Sequence, residues 1–159
     1  MISDPYSAVL ERLATAEVPI EILEHDPVFT MEDVKQTIAI PTHAQVKSMV
    51  VVSKDGDIAI CGIHPVARLS VGAVARELGV ARSRLSLASP QVVVDILGVP
   101  PGAVGLVAPI PVRTLLHDTF EAESQLYFGA GRHDRTIKAP TALLARALDI
   151  RFARIEADL

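Results

Sequence analysis

Residues 46 to 63 leave this chain few options. Val46 to Ser53 and Ile58 to Ile63 are apolar almost throughout, and Lys54-Asp55-Gly56-Asp57 stands between them. Asp-Gly supplies the positive φ angles that a tight turn demands, so the pattern predicts a β-hairpin. Strands that are apolar on both sides of the pleat offer no face to water, which places both centrally in a sheet covered on both faces.

Helices are the expected cover. In the opening segment Ser3 can cap and Pro5 sits in the first turn, while Val9, Leu10, Leu13 and Ala16 recur on one face before Val18-Pro19 ends the helix. Ile20, Ile22 and Leu23 begin a strand. Thr30 caps a short helix over 31–39, with Glu32 and Asp33 near its positive end and Pro41 as its stop. Ser70 to Leu78 predicts another, with Val71, Val74, Ala75 and Leu78 as its buried stripe and Gly79 as its stop. Ser89-Pro90 opens a further helix that ends at Gly98. From Val99 to Pro111 a glycine-rich loop leads into a short strand at Val104, Leu106 and Val107. Leu126, Phe128 and Ile137 mark two strands around Gly129-Ala130-Gly131-Arg132-His133-Asp134. Pro140 opens a last helix through Leu148, and Arg151, Ala153 and Ile155 alternate as a closing strand. Helices interleaved with hairpins, without strict strand-helix alternation, predict a mixed-sheet α/β or α+β domain.

Composition narrows the class. At 159 residues, 50% of them hydrophobic, the chain suits one compact domain over 1–159. No stretch approaches the roughly 18 unbroken apolar residues of a membrane span, and MISDPYSAVLERL lacks the layout of a signal peptide, so a cytoplasmic protein is expected. Cys61 stands alone, which removes internal disulfides and thiolate metal clusters. Fifteen Lys and Arg against nineteen Asp and Glu give a formal charge of −4, which argues against general coating of DNA or other long nucleic acid. Contact with one end of an RNA stays open.

Three features could carry chemistry. Lys47 interrupts the apolar strand near its start; it either snorkels to solvent at the end of the sheet or points into a polar cleft that receives an anion. The run Gly98-Val99-Pro100-Pro101-Gly102-Ala103-Val104-Gly105 lacks side chains that would keep a ligand from backbone N–H groups, yet carries no phosphate-loop or dinucleotide fingerprint; a structural turn is the other reading. His25-Asp26, His117-Asp118 and His133-Asp134 invite a divalent-metal phosphohydrolase, although neighbours on a strand face opposite sides. No serine lies in a nucleophile elbow. Arg76, Arg82 and Arg84, with Arg132, Arg135 and Lys138, could form two basic patches that grip an RNA end, or be scattered surface charges.

These pieces, in this order, resemble the YbaK/ProX-type aminoacyl-tRNA editing family, which also occurs as an insertion in bacterial prolyl-tRNA synthetases. Glu24-His25-Asp26-Pro27 is similar to the family's first-strand ending, and Pro27-Val28-Phe29-Thr30 with Glu32-Asp33 to the ProX branch. Val46-Lys47-Ser48-Met49-Val50-Val51 resembles the signature strand with its lysine. His64-Pro65-Val66 through Leu69, the helix to Leu78-Gly79, and Leu87-Ala88-Ser89-Pro90 resemble the central block. Gly98 and Gly102-Ala103-Val104 fall at the family's glycine-containing substrate loop, and Gly129-Ala130-Gly131-Arg132 with Ile137 resembles its C-terminal end. Leu106 stands where the loop usually has proline, Thr136 at an aspartate position, and Gly129 at that of a small hydroxyl residue.

The resemblance implies a fold with a curved mixed β-sheet, partly barrel-like and flanked by helices. It implies hydrolysis of the ester joining a wrong, small amino acid to tRNA, with proline tRNA as the expected carrier, without metal, cofactor or protein nucleophile. Misacylated tRNA, held by its acceptor end, is the implied partner, with an aminoacyl-tRNA synthetase as a possible second. On this reading Lys47 and the Gly102 N–H are the catalytic groups, the latter as an oxyanion donor. Ser48 fixes the amino acid, Phe29 and Met31 wall the pocket, and Ala103, Gly131 and Thr136 complete the substrate contacts. The rival from another class is a non-catalytic module of the same fold that holds tRNA ends or a synthetase.

Overall fold

A computed structural model describes residues 4–158. The hairpin forms as the pattern demands: β2 (Lys47–Ser53) and β3 (Ile58–Ile63) are antiparallel, and Gly56 takes a φ of 90° in the turn. They lie inside a five-stranded mixed sheet ordered β4-β2-β3-β5-β8. β4 (Leu85–Leu87) pairs antiparallel with β2, while β5 (Arg113–His117) and β8 (Arg151–Ala153) continue parallel from β3. A second, antiparallel sheet has the order β1-β7-β6, from β1 (Glu21–Glu24), β6 (Gln125–Gly129) and β7 (Arg135–Pro140). The strands therefore divide between two sheets where one curved sheet was expected, and neither closes into a barrel. An isolated bridge from Gln45 to Tyr127 joins them.

Each face of the hairpin finds its cover. Val46, Val50 and Ile60 pack into the larger core with Val9 and Leu13 of α1 (Pro5–Thr15), Val93 and Leu97 of α4 (Pro90–Leu97), Phe128 of β6 and Leu144 of α5 (Thr141–Ala147). Val51, Cys61 and Ile63 face the other way, against Val74 and Ala75 of α3 (Val71–Leu78). The helix ends follow sequence chemistry. Ser70 and Ser89 cap α3 and α4, and Gly79 and Gly98 close them with positive φ. Thr30 and Asp33 form a reciprocal capping box on α2 (Met31–Thr37). The expected cap Ser3 lies outside the described residues; the Asp4 side chain accepts from the Ser7 N–H at the start of α1.

One expected strand is absent, and two strands form that the pattern did not signal, β4 and β5. Residues 104–107 are irregular although Leu106, Val107 and Ala108 are buried. The carbonyls just beyond find their donor in a side chain instead of a ladder: Arg12 reaches Ala108 at 2.8 Å and Ile110 at 3.0 Å. Gly105 forces the irregular path. A Cβ there would stand 1.6 Å from the Gly129 carbonyl oxygen, so the chain crosses β6 in backbone-to-backbone contact.

Cys61 is fully enclosed in the smaller core, and burial pushes its thiol up to about 12. A thiol-specific reagent at pH 8 is expected to leave the native chain unlabelled and to react once it is unfolded. Rapid labelling of the native protein would show that this face of the sheet opens.

Candidate functional site

A cavity of about 430 Å³ opens beside the first half of β2. β4 pairs with β2 only at Val51–Ser53, so Ser48, paired with Gly62 of β3 on one side, has no neighbouring strand of this sheet on the other. The segment 28–31, the first turn of α4, the loop 101–104 and the β6–β7 pair form the remaining walls. Strand alternation aims Ser48 to the side of Val46 and Val50. Its Oγ is buried, and among the described residues it has no hydrogen-bond partner. A buried hydroxyl without a partner is an unmet polar demand, and here the residue that carries it lines the cavity.

Lys47 also borders the cavity, but its stem starts on the opposite face. Its Nζ donates to the Ala67 carbonyl at 3.1 Å, at the end of the sheet. Burial pushes this lysine below its ordinary range, and the negative charge of Glu156 opposes the shift.

Gly102 and Ala103 form the facing rim. Gly102 has a φ of 84°, and a Cβ there would lie 2.9 Å from the Phe29 carbonyl oxygen. Ala103 donates its N–H to Pro100, and its carbonyl accepts from Gly131; among the described residues no acceptor meets the Gly102 N–H. Phe29 is 60% exposed and packs at a tilt against His133, with ring centroids 4.3 Å apart. His133 Nε2 in turn donates to the Pro101 carbonyl at 2.8 Å, which ties the aromatic rim to the glycine loop. Met31 stands beside Phe29 at the mouth.

Thr136 is buried and borders the cavity, but its hydroxyl is engaged. His25 Nδ1 lies 2.7 Å from the Asp26 carbonyl, which can only accept, so in the neutral ring Nε2 accepts the hydrogen bond that the Thr136 hydroxyl donates at 2.9 Å. Gly131 is not part of the lining. A Cβ on it would meet Pro5 and Tyr6 at 3.3 Å, so it packs behind the site against α1 and holds the loop through Ala103. Leu106, at the position of the family's proline, sits in the core and away from the lining.

The three His-Asp pairs serve three separate ends. His25 orients Thr136, His117 accepts backbone N–H groups from Ile155 and Glu156, and His133 supports the loop. Among the described residues no group of His, Cys, Asp and Glu is placed to hold a metal ion. The supposed basic patches are ion-paired in part: Asp134 takes Arg132 through two bonds of 2.8 and 2.9 Å and also Arg135 at 3.1 Å, while Lys138 faces Glu21 at 3.4 Å. Among the described residues, every charged residue that lines the cavity is nevertheless a cation: Lys47, Arg132 and Arg135.

Sequence reasoning missed His133 as a support of the site, because it was weighed only as half of a metal pair. It also missed Gln45 and Tyr127, which reach the cavity through the bridge between the sheets.

An α/β chain with this cavity has the architecture of an editing domain. The aminoacyl-tRNA editing domain family matches residues 25–147, and the chain belongs to it. Its fold is shared along nearly the whole length by a solved structure described as "a putative trans-editing enzyme for prolyl tRNA synthetase", with 20% identity, a TM-score of 0.81, and coverage of 99% of this chain and 100% of that one. The hypothetical protein APE2540 is similarly alike, with 20% identity, a TM-score of 0.83 and coverage of 94% and 99%. Among curated proteins none matches the chain in sequence. No helix among the described residues is long and apolar enough to cross a membrane.

Proposed function

We propose that this chain is a free-standing, cytoplasmic aminoacyl-tRNA deacylase of the YbaK/ProX kind, removing a small mischarged amino acid from proline tRNA. The observation that carries the reading is the Ser48 hydroxyl, buried and unpartnered beside a cavity whose charged residues are all cations. An uncharged amino acid satisfies the hydroxyl, and the phosphate at an RNA end suits Lys47, Arg132 and Arg135.

Hydrolysis adds the oxygen of water to the ester carbonyl, breaks the bond to the terminal ribose oxygen and returns a proton to that oxygen. Negative charge develops on the carbonyl oxygen in between. The Gly102 N–H is the donor for it, and Lys47 adds positive charge at the edge of the cavity. Phe29 and Met31 cover the mouth and limit water. A synthetase is the second candidate partner, as the source of the mischarged tRNA.

The test is a panel of alanyl-, seryl-, cysteinyl- and threonyl-tRNAs with purified protein and no added metal. Lys47→Ala is expected to lower deacylation by roughly tenfold to a hundredfold with its melting curve little changed, since the ammonium stands at the end of the sheet. Full activity of a folded Lys47→Ala protein on every substrate would remove Lys47 from the mechanism. A wild-type chain that binds charged tRNA and leaves every ester intact would be the binding module instead.

A further inference from the structure

One end of the five-stranded sheet carries a cluster of ionisable side chains that the proposed chemistry does not use. β3, β5 and β8 run parallel, so His64 after β3, His117 at the end of β5 and Glu156 beyond β8 arrive at the same end. Antiparallel β2 begins there with Lys47, opposite Ile63. Glu156 lies outside residues 25–147, the part matched by the family.

The Glu156 carboxylate is held firmly. One oxygen accepts the His64 backbone N–H at 2.8 Å and the His64 Nδ1–H at 2.6 Å. The other lies 3.5 Å from His117 Nε2, which also faces Asp118 at 3.5 Å. His117 Nδ1 accepts two backbone N–H groups, so its proton is on Nε2 and points toward these carboxylates. The His64 ring is stacked on Phe120, with centroids 4.1 Å apart.

The same segment fixes the acceptor of Lys47. Ser70 donates to the Ile155 carbonyl and Ala157 to the Arg68 carbonyl, both at 2.7 Å, and Ala67 closes the turn onto the His64 carbonyl at 3.0 Å. The Ala67 carbonyl then takes the Lys47 ammonium. Glu156 thus ties down, at His64, the turn that aims Lys47.

We propose that Glu156 is a positioning residue for Lys47: it fixes the 64–67 turn whose carbonyl aims the ammonium, and it brings a carboxylate to the same end of the sheet. This rests on the reading of Lys47 as a cleft residue of an editing enzyme. The same end of the sheet also holds His64, His117 and Asp118, and the cavity that Lys47 borders is lined by Arg132 and Arg135, both paired with Asp134. Burial of the stem disfavours the ammonium, and the negative charge of Glu156 offsets it.

The test is an NMR titration of the lysine side-chain nitrogens in the full chain, the Lys47 signal being the one lost in Lys47→Arg, alongside deacylation rates against pH. In Glu156→Gln the Lys47 titration is expected to move down, because the favourable charge is gone. The alkaline limb of the rate profile, which requires the protonated amine, moves down with it, and kcat falls more than KM rises. Glu156→Asp keeps the charge and is expected to recover most of the titration shift. A Lys47 titration unchanged in folded Glu156→Gln, or moved as far by Glu156→Asp, overturns the proposal. The two readings fail separately: a wild-type chain that shows the coupling but hydrolyses no ester sinks the deacylase assignment alone, while active protein without the coupling sinks this proposal alone.

Discussion

Gly102→Val is expected to hydrolyse misacylated tRNA at least about a hundredfold more slowly than the wild-type chain, roughly 3 kcal/mol in the transition state, which is the typical cost of losing one oxyanion donor. The N–H cannot be deleted by trimming a side chain, but it can be moved. Gly102 has positive φ, and any Cβ meets the Phe29 carbonyl oxygen at 2.9 Å, so a branched residue must push the loop away from the 28–31 segment. The loop is exposed at this point, and the core residues that follow it are anchored separately, so the fold is expected to survive by circular dichroism. Gly56→Val is the matched control. Its φ of 90° brings the same backbone strain, with nothing within 4 Å of the new Cβ and no contact with the cavity. Equal single-turnover rates in the two variants would show that strain alone, rather than the place of the loop beside the ester, explains any loss.

The largest effect on stability is expected at Gly105. Its Cβ would lie 1.6 Å from the Gly129 carbonyl oxygen, and the obstacle is backbone, so no rotamer change relieves it. Gly105→Ala must separate the loop from β6 and loosen Leu106, Val107 and Ala108, all buried. A loss of about 3 kcal/mol or more follows, near the upper end for single substitutions. In a chain of this size that lowers the melting temperature by about 10 °C. A variant melting within 2 °C of wild type would mean the crossing is not a close contact in solution.

Much of the fold could be read from local chemistry. The hairpin, the caps at Thr30, Ser70 and Ser89 and the stops at Gly79 and Gly98 each depend on residues a few positions apart, and they form where the pattern puts them. β5 was hidden because Arg113–His117 follows a run dense in glycine and proline, and its strand character comes from pairing with β3 and β8 rather than from alternation. The division into two sheets depends on such distant pairings and leaves no local trace.

The site was legible in the same uneven way. Strand alternation is enough to put Ser48 and Lys47 on opposite faces, but nothing near Lys47 in the chain announces Ala67 or Glu156. Gly131 was drawn to the site by its neighbours in sequence, yet its positive φ and the contact with Pro5 and Tyr6 put it behind the wall. Thr136 was found by position, and its bond to His25 is invisible without the pairing of β1 with β7.

The sharing of Asp134 between Arg132 and Arg135 has a consequence for how the cavity would meet nucleic acid. Binding to RNA is usually driven by the release of small ions that neutralise the partners, and it weakens steeply as salt rises. Two guanidinium groups that share one internal carboxylate are partly neutralised and hold fewer such ions to give up. A phosphate arriving at the cavity must share or displace Asp134, an exchange of one anion for another with little net release. Affinity for an RNA end would therefore vary less steeply with ionic strength than three free cations would give, and more of the selection of partner would fall to the apolar mouth formed by Phe29 and Met31.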